Sequence, residues 1–320
     1  MRLRVLGRRY DLAYRGSFVC VGRATVCTIL VCSMKASNFR YIRPRSLAHA
    51  YRILHEAGDE AVPIAGGQSL LAGLNMRLSA PKLLVDIGDL AELTVCTHED
   101  SEIRLGALTR HCELLRSEPI RRHLPLLVQA VSHVGHVAIR NRGTLGGSLA
   151  YADPAAELPA CAVALDATLV LGSIAGERDV KAEDFFTGLF ETARQPSELI
   201  LAVKFPLPTA RTVSSFAELA RRHGDFAMVG LAAVATLEVN RLASARLVYL
   251  GCVDRAKVAR SVSAAVSGAC FPVTDDSAFA AALAADLSPD DTPGLRADTK
   301  LHMAAVLTRQ VLNSLVGQAA

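Results

Sequence analysis

Two short glycine-bearing stretches carry the residue types that hold an anion. The segment from Arg140 to Ala160 reads RNRGTLGGSLAYADPAAELPA and sets Gly143, Gly146 and Gly147 beside the hydroxyl residues Thr144 and Ser148. Much earlier, PIAGGQSLLAG sets Gly66 and Gly67 ahead of Gln68 and Ser69. Glycine removes the Cβ that would keep a ligand off the backbone, so successive amide N–H groups can meet a phosphate. The hydroxyls add donors, and a helix opening at either loop adds its partial positive end. Neither stretch has the lysine of a P-loop or the spelling G-x-G-x-x-G. An anion here is therefore held and not transferred, because phosphoryl transfer needs cations on its developing charge. Either loop alone reads as a tight turn. Together, each after an apolar run, they point to one shared site for a pyrophosphate.

No nucleophile accompanies the loops. There is no G-x-S-x-G and no cysteine set beside a base. No catalytic side chain is expected, and the chemistry falls to a bound cofactor. His111, His133 and His136 lie near or before the second loop, but no third ligand stands at metal-binding spacing, so no metal site is expected. The eight cysteines form no C-x-x-C and read as buried free thiols of a reducing compartment. Arg140 and Arg142 either neutralise phosphate or brace the loop through Glu157 or Asp153. Asp86, at a strand end, reads as a loop brace. Glu218, Arg221, Arg222 and Asp225 either border the site or form a solvated charged turn.

The elements around these residues follow from pattern and punctuation. FRYIRP is a strand stopped by Pro44. Ser46 caps a helix with Leu47, Ala50, Tyr51 and Leu54 at helical spacing, ended by Gly58. AVPIAGG is a strand entering the first loop, SLLAGLNMRL a helix leaving it, and KLLVDIG a strand buried on both faces. This is an α/β opening. EIRLGALTR is a strand, and the run from Arg110 to Val134 is one or two helices broken at Pro119 and Pro125. ATLVLGS and RDVKAEDFF give strand, turn and strand-to-helix. ELILAVKFPLP is an edge-like strand, and its prolines mark a boundary. Three long strands of an antiparallel sheet follow, then three helices.

Composition narrows the class. The 320 residues are 51% apolar and 21% charged, with a net charge of +4. That length suggests two domains of roughly 150 residues each. No apolar run reaches the ~18 residues of a membrane span. Ten of the basic residues lie in the first 45 positions and tryptophan is absent, so neither an electrostatic nor a stacking case exists for nucleic acid. Residues 1–33 are basic and aperiodic and lack an uninterrupted signal-peptide core. They read as a poorly ordered or mis-assigned extension, with Met34 as the natural start.

IAGGQSL, the segment Arg140 to Ala160, and RRHGDFAMVG from Arg221 to Gly230 together resemble the FAD-binding medium subunit of the molybdenum hydroxylases. This is the family of the carbon monoxide dehydrogenase flavoprotein and the xanthine dehydrogenase FAD subunit. The resemblance runs from Met34 to about Gly317. It implies an α+β chain. A two-lobed α/β FAD-binding domain of the vanillyl-alcohol-oxidase type occupies 34–210, with lobes at about 34–88 and 89–210. A C-terminal flavoprotein domain at 211–320 has a three-stranded antiparallel sheet with helices. It places FAD between the lobes, its pyrophosphate on both loops. The implied contacts are Ile64, Ala65, Gly66, Gly67, Gln68, Ser69, Leu70 and Leu71 from the first loop. Thr144, Leu145, Gly146, Gly147 and Ser148 come from the second. Asp153 and Glu157 are the acidic contacts, Val134 and Ile200 the apolar ones. Three positions depart from the family: Tyr151 stands where histidine is frequent, Ala217 where related members have lysine, and Phe226 where the carbon monoxide dehydrogenase type has tyrosine.

The resemblance further implies an electron-transfer subunit. It takes electrons from an iron–sulfur small subunit carrying [2Fe–2S] and passes them to an external acceptor. A large subunit carries the molybdenum cofactor, and the expected assembly is a cytoplasmic dimer of heterotrimers. A stand-alone FAD oxidoreductase would need its own substrate pocket and acid–base residues, which the sequence does not display. A flavin-free scaffold is disfavoured by the intact glycine loops.

Overall fold

The computed structural model describes residues 35–238, 241–274 and 276–316, and the backbone of a short hairpin, β1 (Arg2–Val5) and β2 (Arg8–Asp11). The expectations for the rest of residues 1–33, and for Met34, fall outside the described residues.

The first lobe is built on three parallel strands. β3 (Arg40–Ile42) leads to α1 (Leu47–Ala57), β4 (Ala61–Ile64), α2 (Leu70–Asn75) and β5 (Leu83–Asp86), with sheet order β3-β5-β4. Ser46 caps α1 by accepting from the His49 amide at 3.2 Å, and Gly58 closes it at φ +51°. That cap is worth about 1 kcal/mol. Pro63 is tolerated because β4 lies at the sheet edge. Central β5 is the apolar strand, as its sequence suggested.

The second lobe is a five-stranded antiparallel sheet with helices. Its elements are β6 (Thr97–His98), β7 (Glu102–Gly106), α3 (His111–Arg116), α4 (Glu118–His123), α5 (Pro125–His133), α6 (Val137–Arg140), α7 (Leu145–Tyr151), α8 (Glu157–Ala164), β8 (Thr168–Ser173), β9 (Gly176–Lys181) and α9 (Ala182–Phe185). The ribbon β10 (Phe186–Gly188) and β11 (Glu191–Thr192) follows, then β12 (Leu199–Pro206). Sheet order is β6-β7-β12-β8-β9. Two expectations are corrected here. The stretch from Arg110 forms three helices, because Pro119 and Pro125 each sit in a first turn and start a helix. And β12 is central, not edge-like, pairing with both β7 and β8. Its proline is the last residue, where a missing N–H costs the ladder little.

The third unit is the sheet β13 (Thr212–Leu219), β14 (Val229–Glu238) and β15 (Arg241–Leu250), followed by α10 (Arg260–Val266), α11 (Ser277–Asp286) and α12 (Ala297–Val316). Both faces of this sheet are covered. Leu231, Ala233, Leu247 and Tyr249 pack with Val262, Leu283 and Val311 of the terminal helices. The alternate residues Ala232, Val248 and Leu250 join Leu126, Val131, Leu158 and Val163 of α5 and α8. This period-2 division explains why the strands read as nearly continuous apolar runs. β12 is divided the same way, with Ala202 in the first-lobe core and Val203 and Phe205 in the α5–α8 core. Each such leucine, valine or phenylalanine contributes about 1.5–3 kcal/mol by leaving water.

Among the described residues the thiols are free, but not uniformly buried as expected. Cys161 and Cys252 are buried, whereas Cys96 and Cys270 are exposed.

Candidate functional site

The two glycine loops meet. A Cβ built on Gly66 would stand 2.1 Å from the Arg142 carbonyl oxygen and 3.0 Å from the Gly143 Cα. Gly146 is also constrained, by the Ala107 Cβ at 2.6 Å and the Ala107 carbonyl oxygen at 2.9 Å from its would-be Cβ. Both glycines therefore serve chain-to-chain contact as well as any ligand. Gly67 has φ +71°, which side-chain-bearing residues rarely adopt.

The loops differ in what they leave open. Among the described residues, the amides of Gly66, Gly67, Gln68 and Ser69 donate to no protein acceptor. The second loop uses most of its own. Leu145 donates to the Thr109 carbonyl, Gly146 to the Ala107 carbonyl, Ser148 to the Thr144 carbonyl and Gly147 to Thr144 Oγ1 at 3.1 Å. What it offers is chiefly the hydroxyls of Thr144 and Ser148. The helices leaving the loops, α2 and α7, have six and seven residues. The loose amides, not a long helix dipole, are the anion-binding feature.

Both loops border one cavity of about 350 Å³, at the small end of ligand pockets. Ile64, Ala65, Gly66, Gly67, Gln68, Ser69 and Leu70 line it, as do Thr144, Gly146, Gly147, Ser148, Val134, Asp153, Glu157 and Ile200. Leu71 and Leu145 do not. Leu71 is 42% exposed on α2, and Leu145 is fully buried in the core. Ile200 reaches the wall at a break in the β12–β8 register between Ile200 and Ala202.

The acidic positions are desolvated. Glu157 opens α8, and burial pushes its carboxyl up to about 7, with Glu218 adding to the rise and His133 opposing it. Asp153 is also raised by burial, though its Oδ1 accepts from the Ala155 amide at 2.9 Å. Behind the wall, His133 Nδ1 lies 3.3 Å from Glu218 Oε1, a contact that raises the imidazole. The Glu218 side chain is thus buried, not part of a solvated turn. Asp225 and Phe226 border the cavity, Phe226 at 72% exposure. Arg140 bonds neither Glu157 nor Asp153; it donates to the Val134 and Gly135 carbonyls at 2.9 and 2.8 Å. Asp86 is a brace, accepting from Arg43 at 2.7 Å, from Gly88 and from Tyr41.

Two further residues belong to the wall. His111 is 5% exposed with both ring nitrogens unpartnered, and burial holds its imidazole down at about 4, so it is neutral. A lone histidine in LTRHCEL has no spacing signal that would have found it. Arg194 donates to the Gln195 and Glu198 carbonyls at 2.9 and 2.8 Å, and Arg178 pairs with Glu198 at 2.6 Å, fixing the chain beneath Leu199 and Ile200. Four unclaimed amides, two hydroxyls and an orphaned neutral imidazole around a largely apolar space suit a ligand that joins a diphosphate to an uncharged ring system.

Comparison with known proteins agrees. Residues 37–208 match the model described as the FAD binding domain in molybdopterin dehydrogenase, and residues 214–315 match the CO dehydrogenase flavoprotein C-terminal domain. The 6-hydroxypseudooxynicotine dehydrogenase complex subunit alpha of Paenarthrobacter nicotinovorans is 44% identical over 68% of this chain and 74% of its own. The caffeine dehydrogenase subunit beta of Pseudomonas sp. (strain CBB1) is 41% identical over 67% and 73%. Among solved structures, a carbon monoxide dehydrogenase of Hydrogenophaga pseudoflava superposes with a TM-score of 0.85 at 31% identity, covering 89% of this chain and 99% of that one. No helix of the described residues is long and apolar enough to cross a membrane.

Proposed function

This chain belongs to the FAD-binding subunits of the molybdopterin dehydrogenase family, and from that premise we propose that it is the electron-transfer subunit of a molybdenum hydroxylase. It holds FAD with the diphosphate at the loops Gly66–Ser69 and Thr144–Ser148. Electrons enter from a [2Fe–2S] small subunit, and an external acceptor removes them. Substrate oxidation occurs on a large subunit carrying the molybdenum cofactor, in a cytoplasmic dimer of heterotrimers. We place the junction between the FAD-binding and C-terminal parts near residue 210, next to Pro206 and Pro208.

The observation that carries this reading is the run of four unpaired amides at Gly66–Ser69 beside the Thr144 and Ser148 hydroxyls, around a single cavity. Bound flavin supplies the conversion between one-electron and two-electron transfer. This chain's own residues bind and orient it. The loop donors would hold the diphosphate, and the apolar wall of Val134, Ile139 and Ile200 would keep water from the ring system. Neutral His111 is poised to accept or donate one hydrogen bond without adding charge.

The test is purification of the native protein. The expected result is a yellow preparation with flavin absorbance near 450 nm, co-purifying with molybdenum and iron–sulfur chains. A colourless protein, or a flavoprotein that purifies alone and oxidises a substrate unaided, contradicts the proposal.

A further inference from the structure

The third unit grips the second lobe beside the cavity through contacts that no cofactor requires. On α5, Gln129 Oε1 accepts from the Phe216 amide of β13 at 2.8 Å. One turn further on, His133 Nδ1 lies 3.3 Å from Glu218 Oε1, and the His133 ring tilts against the Phe216 ring at 5.4 Å. His223 lies edge-on to the same imidazole at 6.1 Å. The last contact is backbone to backbone. Gly224, at φ +87°, approaches so closely that a Cβ on it would stand 3.0 Å from the Gly135 carbonyl oxygen. Residues 216–224 thus run along residues 129–135, and both segments end at the cavity. Val134 and Gly135 line it from one, and Gly224, Asp225 and Phe226 line it from the other.

Of these contacts, the His133–Glu218 pair is the one that depends on charge. The Glu218 side chain is 3% exposed, and its Oε2 is buried with no partner. A carboxylate so placed is costly unless a cation stands against it. Imidazolium supplies that cation, whereas neutral imidazole offers at most one uncharged hydrogen bond. Among the described residues neither side chain has a second ion pair.

We infer that His133 and Glu218 form a charge-dependent latch that positions the loop Gly224–Phe226 on the rim of the cavity. With His133 protonated, the pair holds the end of β13 against the end of α5. When His133 loses its proton, Glu218 keeps a buried charge without a counter-charge, and the loop beyond it loosens. Closed, the loop narrows the way into the cavity; open, it admits solvent. The latch is a property of the chain and does not depend on which ligand the cavity takes.

The direction in pH follows from the surroundings. The hydrogen bond to Glu218 holds the imidazole above its ordinary 6.5, against burial, and Glu157 of α8 adds to the rise. The folded value lies above the unfolded one, so the stabilisation is complete below about 6.5 and is lost as pH rises through the folded value. The other charged and titratable groups nearby are His223, Arg221, Arg222 and Asp225 of the β13–β14 loop, and His136 and Arg140 at α6. Arg221 donates to the Pro293 carbonyl at 3.1 Å, and Arg140 to the Val134 and Gly135 carbonyls.

The test is hydrogen–deuterium exchange on the full chain at pH 6 and 8.5, corrected for the intrinsic rate. The reporters are the amides of Phe216, Asp225 and Met228, which donate to Gln129 Oε1, the Arg222 carbonyl and the Leu219 carbonyl. In the wild type they should exchange about tenfold faster at pH 8.5, the ratio expected for losing one charge-assisted bond. The five-stranded sheet should not change. Glu218→Gln and His133→Gln should lose the pH difference, and His133→Lys, charged at both values, should stay protected at pH 8.5. A packing role alone gives no such dependence on charge. If a variant does not fold, the wild-type comparison decides. A wild type with equal exchange at both pH values, an equal change throughout the five-stranded sheet, or a folded Glu218→Gln that keeps the full difference overturns the latch.

Discussion

The Cα of Gly66 faces the carbonyl oxygen of Arg142 so closely that a methyl group there would lie 2.1 Å from it. Backbone meets backbone, and neither side can yield as a side chain would. The contact joins the two glycine loops and fixes their spacing. Gly66→Ala should therefore push the second loop away and lose flavin retention, with a stability cost of about 1–3 kcal/mol. The ratio of flavin to protein absorbance and the melting temperature check this. An alanine variant with unchanged flavin content contradicts it.

Gly146 and Gly147 are adjacent but unequal. A Cβ on Gly146 meets the Ala107 backbone, whereas one on Gly147 meets only the Thr144 hydroxyl, at 2.7 Å. Gly146→Ala should be the more damaging. Gly147→Ala should cost about 1 kcal/mol, comparable to removing the cap with Thr144→Ala. Urea denaturation of the three variants gives the order, and Gly147→Ala proving the worst of them would be the contrary result.

His111 makes the protein acid-sensitive. Its imidazole is held down to about 4 by burial, against an ordinary 6.5. Between those values the unfolded chain takes a proton that the folded chain refuses. Stability thus falls as pH drops from 6.5 to 4, by about 3 kcal/mol. His111→Gln should flatten that part of the profile. Unfolding free energies at pH 4.5 and 7 measure it, and a variant keeping the full acid slope would show another group to be responsible.

Glu157 has the opposite sign. Its folded carboxyl titrates near 7 against an ordinary 4.5, so the folded state binds the extra proton in that window. Stability is lost as pH rises from 4.5 to 7, again by about 3 kcal/mol. In flavin-stripped protein Glu157→Gln should be more stable than wild type at pH 8 and equal to it near pH 4. A variant weaker at both values would argue that the carboxylate is internally paired.

Much of this was legible in the sequence, for identifiable reasons. Gly66, Gly67, Gly146 and Gly147 stood out because glycine pairs after apolar strands have few uses, and the strands and helices of the third unit followed from period and punctuation. What was not legible lay in contacts distant along the chain. The prolines after Phe205 made β12 read as an edge, since nothing local says that β7 and β8 will flank it. Glu218 read equally as a residue bordering the site or as part of a charged turn, because its neighbours Arg221 and Arg222 are charged; its side chain in fact faces His133. His111 announced nothing; its importance appears only when Gly143 packs on its ring. The open amides of the first loop and the spent amides of the second were indistinguishable by composition alone.

The loop between β13 and β14 reaches the first part of the molecule through Gly224, whose would-be Cβ stands 3.0 Å from the Gly135 carbonyl oxygen, and its next two residues border the cavity. A molecule seated there touches pieces of all three sheets' surroundings at once and acts as a rivet through them. At a hundredfold excess over its dissociation constant such a rivet adds about 2.7 kcal/mol. Riboflavin-starved cells should accordingly yield a chain that proteases nick at this hairpin loop, while well-fed cells yield one that resists.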